Sequence, residues 1–262
     1  MTHRPETFES HQHAVQEVIS FMRKDPSSPL DLSAMAAVAS MSRYHFLRVF
    51  EEVTSITPSR FLAAIRMERA KRFLVETSLP VTSICFEVGY DSLGTFTRLF
   101  TDVVGLSPNS FRRLAAQLAR RPIDELIAAY LQRQSAPPSN RVVAGSVRGP
   151  LHFDGVVFIG LFPSPIPQRR PINGVLLLHQ GRFELGVARV GQPAFLMAVG
   201  FPKNSSSIAY LLPSQNDLLV GSSSLSSETS DDAEMQHCEL ILRRRMPVDP
   251  PILIALPLLL AD

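Results

Sequence analysis

The chain reads as a multidomain α and β protein, an all-α double helix-turn-helix domain followed by an all-β sandwich. Three observations predict this. A twenty-residue segment, 42–61, recurs at 92–111 without a gap. Within both copies apolar residues fall at i, i+3, i+4 and i+7, the spacing of a helix with one buried face. Beyond residue 140 that period gives way to short runs of Val, Ile, Leu and Phe punctuated by Gly, Pro, Asn and Ser.

In the repeat, Ser42 pairs with Ser92, Phe46 with Phe96, Arg48 with Arg98, Phe50 with Phe100, Pro58 with Pro108 and Phe61 with Phe111. A repeat in fixed register is one supersecondary unit used twice. Each copy opens on Ser, suited to cap the orphan amides of a first turn. Phe46, Val49, Phe50 and Val53 form the inward stripe of the first copy, and Phe96, Leu99, Phe100 and Val103 that of the second. The opposite faces carry Arg43, Tyr44, Leu47 and Arg48, then Leu93, Gly94, Thr97 and Arg98. Both copies end in a turn followed by Thr57-Pro58 or Ser107-Pro108, with Pro at the start of a further helix.

A short amphipathic helix and a tight turn precede each copy, at 32–38 and at 81–88. Helix, short turn and a second helix with a polar outer face make a helix-turn-helix. Residues 59–76 join the two units as a helix about 27 Å long at ~1.5 Å per residue. Major grooves recur every ~34 Å, so two outer faces held apart by such a strut match successive grooves of DNA.

At these residues the chain resembles the AraC/XylS family of bacterial transcription regulators. The resemblance rests on Leu32, Ala36, Ser42, His45, Phe46, Arg48, Phe50 and Pro58, then the helix at 66–74. It continues through Ile84, Val88, Gly89, Tyr90, Ser92, Phe96, Arg98, Leu99, Phe100, Gly105 to Pro108, Phe111 and Arg112. It spans roughly residues 10–120. It implies a seven-helix DNA-binding domain whose base-reading residues fall on Arg43, Tyr44, Leu47, Arg48, Leu93, Gly94, Thr97 and Arg98. Double-stranded DNA is the implied partner, with RNA polymerase beside it.

Two positions depart from the family pattern. Ser55 stands where the family has Gly, as Gly105 does in the second copy; a left-handed conformation there costs a non-Gly residue about 1 kcal/mol. Leu47, Leu93 and Gly94 cannot donate to base edges, so readout leans on Arg43, Arg48 and Arg98 and on apolar contact with thymine methyls. Ser42, Ser59, Ser92 and Asn109 lie at helix starts, where free amides favour phosphate and where an ordinary cap serves equally well.

Composition agrees with this division. The chain has 262 residues, 45% of them hydrophobic, enough for two cores. Residues 42–121 hold 12 Lys and Arg against 7 Asp and Glu, an excess located where phosphate contacts are needed. Cys85 and Cys238 sit in apolar runs of different halves and read as reduced thiols of a cytoplasmic protein. The N-terminus lacks the build of a signal peptide, and the apolar run at 251–261 is too short to span a membrane.

In order, residues 1–10 read as a frayed tail and 11–24 as an amphipathic helix halted by Pro26 and Pro29. His3, His11 and His13 have no Cys or acidic cluster beside them and are surface histidines rather than metal ligands. On the strut, Arg66, Arg69, Lys71 and Arg72 give a basic face open to solvent or phosphate. Helices follow at 109–119 and 124–134, and the first domain, with its trailing helix, runs to residue 133. Residues 134–140, QSAPPSN, form a stiff linker.

The second domain, 141–262, holds β-prone runs at 141–147, 155–162, 174–179, 182–190, 194–200, 207–212, 218–221, 236–244 and 252–260. Residues 222–232, SSSLSSETSDD, read as a mobile loop. Residues 141–212 are loosely similar to the small sandwiches of the transthyretin-like or carboxypeptidase-regulatory type. The Pro-Gly-x-Tyr of those sandwiches is replaced by residues 190–195, VGQPAF, and the similarity implies no ligand. The loop 163–171, PSPIPQRRP, reads as an exposed connection that carries Arg169 and Arg170. Adjacent His237 and Cys238 point to opposite faces of a strand and cannot share one metal.

No catalytic triad, P-loop or nucleotide fingerprint is present, so no catalytic residue, metal or cofactor is assigned. The leading reading is a sequence-specific regulator of transcription, its β domain free to sense an effector, pair two chains or touch the transcription machinery. The rival is a ligand- or protein-binding β module with the helices as accessory scaffold. The chain has no Trp with which to stack a sugar.

Overall fold

The computed structural model describes residues 5–120, 123–133, 142–186, 194–213, 218–225 and 235–257. The helices are α1 (Pro5–Lys24), α2 (Leu32–Val38), α3 (Arg43–Thr54), α4 (Pro58–Glu76), α5 (Val81–Glu87), α6 (Leu93–Val104), α7 (Pro108–Leu118) and α8 (Ile123–Arg133). Those of the repeat lie within a residue or two of their predicted bounds because each carries its own boundary signal. Asp31, Ser42, Thr57, Ser92 and Ser107 cap their helices, each side chain accepting from an amide three positions on. Ser55 and Gly105 end α3 and α6 in the left-handed conformation, with φ of 59° and 89°. The N-terminal helix begins at Pro5, so the frayed tail predicted over 1–10 is helical from there.

The repeat extends to packing. Phe46, Phe50 and Phe61 stack edge to face at centroid separations of 5.5 and 5.6 Å. Phe96, Phe100 and Phe111 repeat that chain at 5.8 Å and 5.8 Å. Each triad locks α3 or α6 against the helix that follows it, and aromatic pairs packed in this way stabilise beyond their buried area.

The strut α4 is buried on nearly every side, through Phe61, Leu62, Ile65, Met67, Ala70, Lys71 and Leu74. Its predicted basic face is therefore mostly structural. Arg66 donates to the carbonyls of Pro26 and Ser28, Arg69 lies over the Phe73 ring, and Lys71 is 1% exposed; Arg72 alone of the four is exposed.

The second half forms two sheets. Strands β1 (Val142–Arg148), β4 (Gly181–Gly186) and β7 (Met235–Ile241) make a three-stranded sheet in the order β4-β1-β7. Strands β2 (Gly155–Phe162), β3 (Asn173–Leu177), β5 (Ala194–Pro202), β6 (Leu219–Leu225) and β8 (Arg243–Arg244) make the other, in the order β3-β2-β5-β6-β8. Alternation along β2 divides its side chains between two cores. Val157, Ile159 and Leu161 join Val143, Val147, Phe183, Leu185 and Leu240 of the smaller sheet. Val156 and Phe158 face the other way and join the core of the helices. Hence β2 is buried along its whole length.

On that second face of the large sheet, register fixes three cross-strand rows. These are Phe158–Val199–Val220, Gly160–Met197–Ser222 and Phe162–Phe195–Ser224. Phe158, Phe201 and Tyr210 form an aromatic cluster beside them. Residues 248–256 then run between sheet and helices, and Val248 and Ile252 to Leu256 are buried in one continuous core with both.

Four expectations for the second half change. Residues 207–210 form a 3-10 turn, with Tyr210 buried. Residues 252–257 are buried but not a strand. Residues 222–225, read as loop, belong to β6, paired with β5; residues 226–232 lie outside the described residues. The loop 163–171 is docked on the helices rather than free. Its Arg169 amide donates to the Val103 carbonyl at 2.8 Å, and its guanidinium pairs with Asp102 at 2.5 Å. The linker 134–140 and most of the segment 190–195 also lie outside the described residues.

Charge reinforces the junction of helices and sheet. Glu68 of α4 receives Arg23 at 2.6 Å and Arg245 at 3.5 Å, and Arg245 also donates to the Pro250 carbonyl at 3.0 Å. Burial opposes ionisation of Glu68, but Arg245 and Arg23 together hold its carboxyl below the usual range.

Candidate nucleic-acid interface

The outer faces of α3 and α6 stand clear of this core. Because Phe46, Val49 and Phe50 turn inward, Arg43, Tyr44 and Arg48 turn outward and are exposed, and Leu47 is half-buried at the edge. Tyr44 is 88% exposed. On α6 the same geometry exposes Leu93, Gly94 and Arg98 and leaves Thr97 half-buried. These four line a shallow open depression with Thr101 and Asp102.

A side chain that must reach a base is best left without a competing partner. Among the described residues, Arg43 and Arg98 form no ion pair or hydrogen bond with the protein. Arg48 approaches only the His45 ring, Nη2 to Nδ1 at 3.3 Å, and His45 in turn meets the edge of His11. A guanidinium in that state is free to present its fork to guanine O6 and N7 or to a phosphate. The absence of a donor at Leu47, Leu93 and Gly94 leaves Arg48 and Arg98, the pair related by the repeat, as the polar centres of the two faces.

The helix-start residues separate into two kinds. Ser42 and Ser92 are caps, their hydroxyls accepting from the amides of His45 and Thr95 at 3.4 and 3.3 Å. Ser59 and Asn109 do not begin their helices as read from sequence. Thr57 and Ser107 cap them, Pro58 and Pro108 open them, and Ser59 and Asn109 are exposed in the first turn. The first turn of each helix can thus receive an anion without giving up its cap.

Helices α3 and α6 differ at their C-termini. Val103 and Val104 of α6 accept hydrogen bonds from the amides of Arg169 and Ala255, at 2.8 and 3.2 Å. Their repeat partners on α3, Val53 and Thr54, receive no such bond among the described residues. Sequence reasoning missed this junction, because its donors come from an irregular loop and from a segment read as a strand.

Among the described residues, no group of three or more His, Cys, Asp or Glu could hold a metal, and no helix is long and apolar enough to cross a membrane. Cys85 is buried and Cys238 partly so, and both are free thiols.

Residues 35–114 match the family described as "Helix-turn-helix domain". The MmsAB operon regulatory protein of Pseudomonas aeruginosa is 32% identical over 98 residues, 37% of this chain and 32% of that protein. Regulatory protein SoxS of Escherichia coli is 28% identical over 103 residues, 39% of this chain and 96% of SoxS. A solved transcriptional regulator from Chromobacterium violaceum, of the AraC-type DNA-binding domain-containing proteins, has 25% identity and a TM-score of 0.39. It covers 40% of this chain and 95% of its own. The match thus spans about a third of the length of the first curated relatives. Residues 35–114 thus carry a helix-turn-helix domain similar to those of these regulatory proteins.

Proposed function

We propose that this chain is a sequence-specific DNA-binding regulator of transcription that sets α3 and α6 into successive major grooves. The observation that carries the proposal is the duplicated, exposed and unoccupied arginine face. In this reading Arg43, Tyr44, Leu47 and Arg48 meet one set of base edges, and Leu93, Gly94, Thr97 and Arg98 the next. Ser59 and Asn109, with the caps Ser42 and Ser92, lie beside phosphates at the helix starts. The strut α4, 19 residues, sets the separation at about 28 Å by helical rise.

The division into a DNA-binding part, 1–133, a linker, 134–140, and a β part, 141–262, is retained as one of architecture. The single apolar cluster that both sheets contribute to supports a sandwich. The continuous core that residues 248–256 share with the helices supports action of the β part on the reading helices. Sensing of an effector, pairing of two chains and contact with RNA polymerase are the roles open to it, in a cytoplasmic regulator without catalysis. The rival reading, a binding module on a helical scaffold, leaves the two exposed arginine faces without a purpose.

Genome-wide footprinting of the full-length chain tests the proposal. Protected sites should share a sequence with two half-elements about one helical turn apart, and binding should weaken steeply with salt. Protection without a common sequence would sink the reading.

A further inference from the structure

A cavity of about 550 Å³ lies between the large sheet and the end of α3. Its floor is the three cross-strand rows that end in Val220, Ser222 and Ser224. Val53, Thr54 and Ser55, the last turn and left-handed cap of the first reading helix, form part of its wall. Residues 246–256 close it from the chain's C-terminal side.

The repeat says what is missing there. At the matching place on α6, amides from residues 169 and 255 satisfy the carbonyls of Val103 and Val104. At α3 the matching residues, Val53 and Thr54, line the cavity, and among the described residues no backbone amide bonds to their carbonyls. A helix C-terminus carries partial negative charge and unsatisfied acceptors, so it attracts hydrogen-bond donors. The remaining wall is mainly apolar, with Phe158, Phe162, Phe195 and Met197 as its largest side chains. Among the described residues that line it, Arg243 and Asp249 already satisfy each other as an ion pair at 2.6 Å. The volume falls within the range of small-molecule sites, about 300–1,000 Å³, and the lining has their usual character of apolar walls with a few polar groups.

We propose that this cavity binds a small, uncharged, mainly apolar molecule bearing a hydroxyl or amide donor. The molecule completes the C-terminus of α3 as Arg169 and Ala255 complete that of α6. The inference deepens the regulator reading by giving the β half a sensing site, but its test needs no DNA, so the two fail separately.

The chain contains no Trp, so the fluorescence of 2-naphthol can be followed directly on the full-length protein. 2-Naphthol should bind saturably, and 2-methoxynaphthalene, of the same shape but without the donor, about tenfold more weakly. Met197→Phe and Ser222→Phe, placed on the floor at two points, should each abolish binding while keeping the wild-type circular dichroism and thermal midpoint. Absence of saturable binding, or binding untouched by both substitutions, overturns the site. Equal affinity for the two probes overturns the capping role. A duplex shift assay with and without 2-naphthol then reads the consequence for DNA, and a protein that takes up the probe but ignores DNA overturns the regulator reading alone.

Discussion

The ammonium of Lys71, on the strut between the two reading units, donates a 3.0 Å hydrogen bond to the carbonyl of Ile252, 181 positions later in the chain. It also lies 5.7 Å from the centre of the Phe111 ring. A lysine read from sequence as surface charge is thus a central tie between helices and β half.

Burial pushes the Lys71 pKa down to about 7, with Glu68 opposing the shift and Arg245 adding to it. Unfolded, the group returns to its ordinary value near ~10.4. Between those values the unfolded chain binds the extra proton, so this group makes stability rise with pH from about 7 upward and contributes no slope below it. Urea midpoints should therefore increase from pH 7.5 to 9.5 in the wild type and flatten in Lys71→Met. Parallel curves for the two proteins would contradict the assignment.

Arg48→Ala and Arg98→Ala should each weaken binding to a footprinted duplex by about 5- to 150-fold, the range of one bidentate base contact. Neither should move the thermal midpoint by more than about a degree, because both side chains are exposed and no core contact is lost. Gel-shift titration at fixed moderate salt checks the first expectation, and a melt checks the second. Unchanged affinity in both variants removes α3 and α6 as reading helices.

Glu68 is the only acid bonded to both Arg23 and Arg245 among the described residues. Glu68→Gln keeps the shape but strands two cations at a largely buried site, at a cost of about 3–5 kcal/mol. Denaturant unfolding should show the loss as a lower midpoint. Replacing Glu68 and Arg245 together by Gln and Met should recover part of it, and a double variant no better than the single would mean that the pair does not act as a unit.

Ser55 holds a left-handed conformation that Gly adopts without strain. Ser55→Gly should stabilise the chain by up to about 1 kcal/mol, and Gly105→Ala should destabilise it by a similar amount. Thermal melts of the two variants should move in opposite directions. Shifts of the same sign would show that the two caps are not equivalent.

What was legible in the sequence was local. Ser42, Thr57, Ser92 and Ser107 mark their helix starts through a bond three residues away, so their signal lies within the window a reader scans. The exposed arginine faces follow from the inward stripes by helical geometry alone. Long-range pairing was less readable. Ser222 to Ser224 have the composition of a loop, and they become strand because Met197 and its neighbours supply a ladder. Residues 252–257 have the composition of a strand, yet their amides go to Pro167 and Val104 instead of to a neighbouring strand. The basic face of α4 failed for the same reason: what buries Lys71 lies at the far end of the chain.

The amide of Ala255 that finishes α6 sets an order of events in synthesis. The second reading helix is complete in sequence at Val104, yet its last carbonyl acquires this partner only after some 150 further residues have been joined. A nascent helical half leaving the ribosome therefore exposes the apolar surfaces of α4 and α7 until the closing segment arrives. The repeat is made early and is sealed only by residues joined long after it.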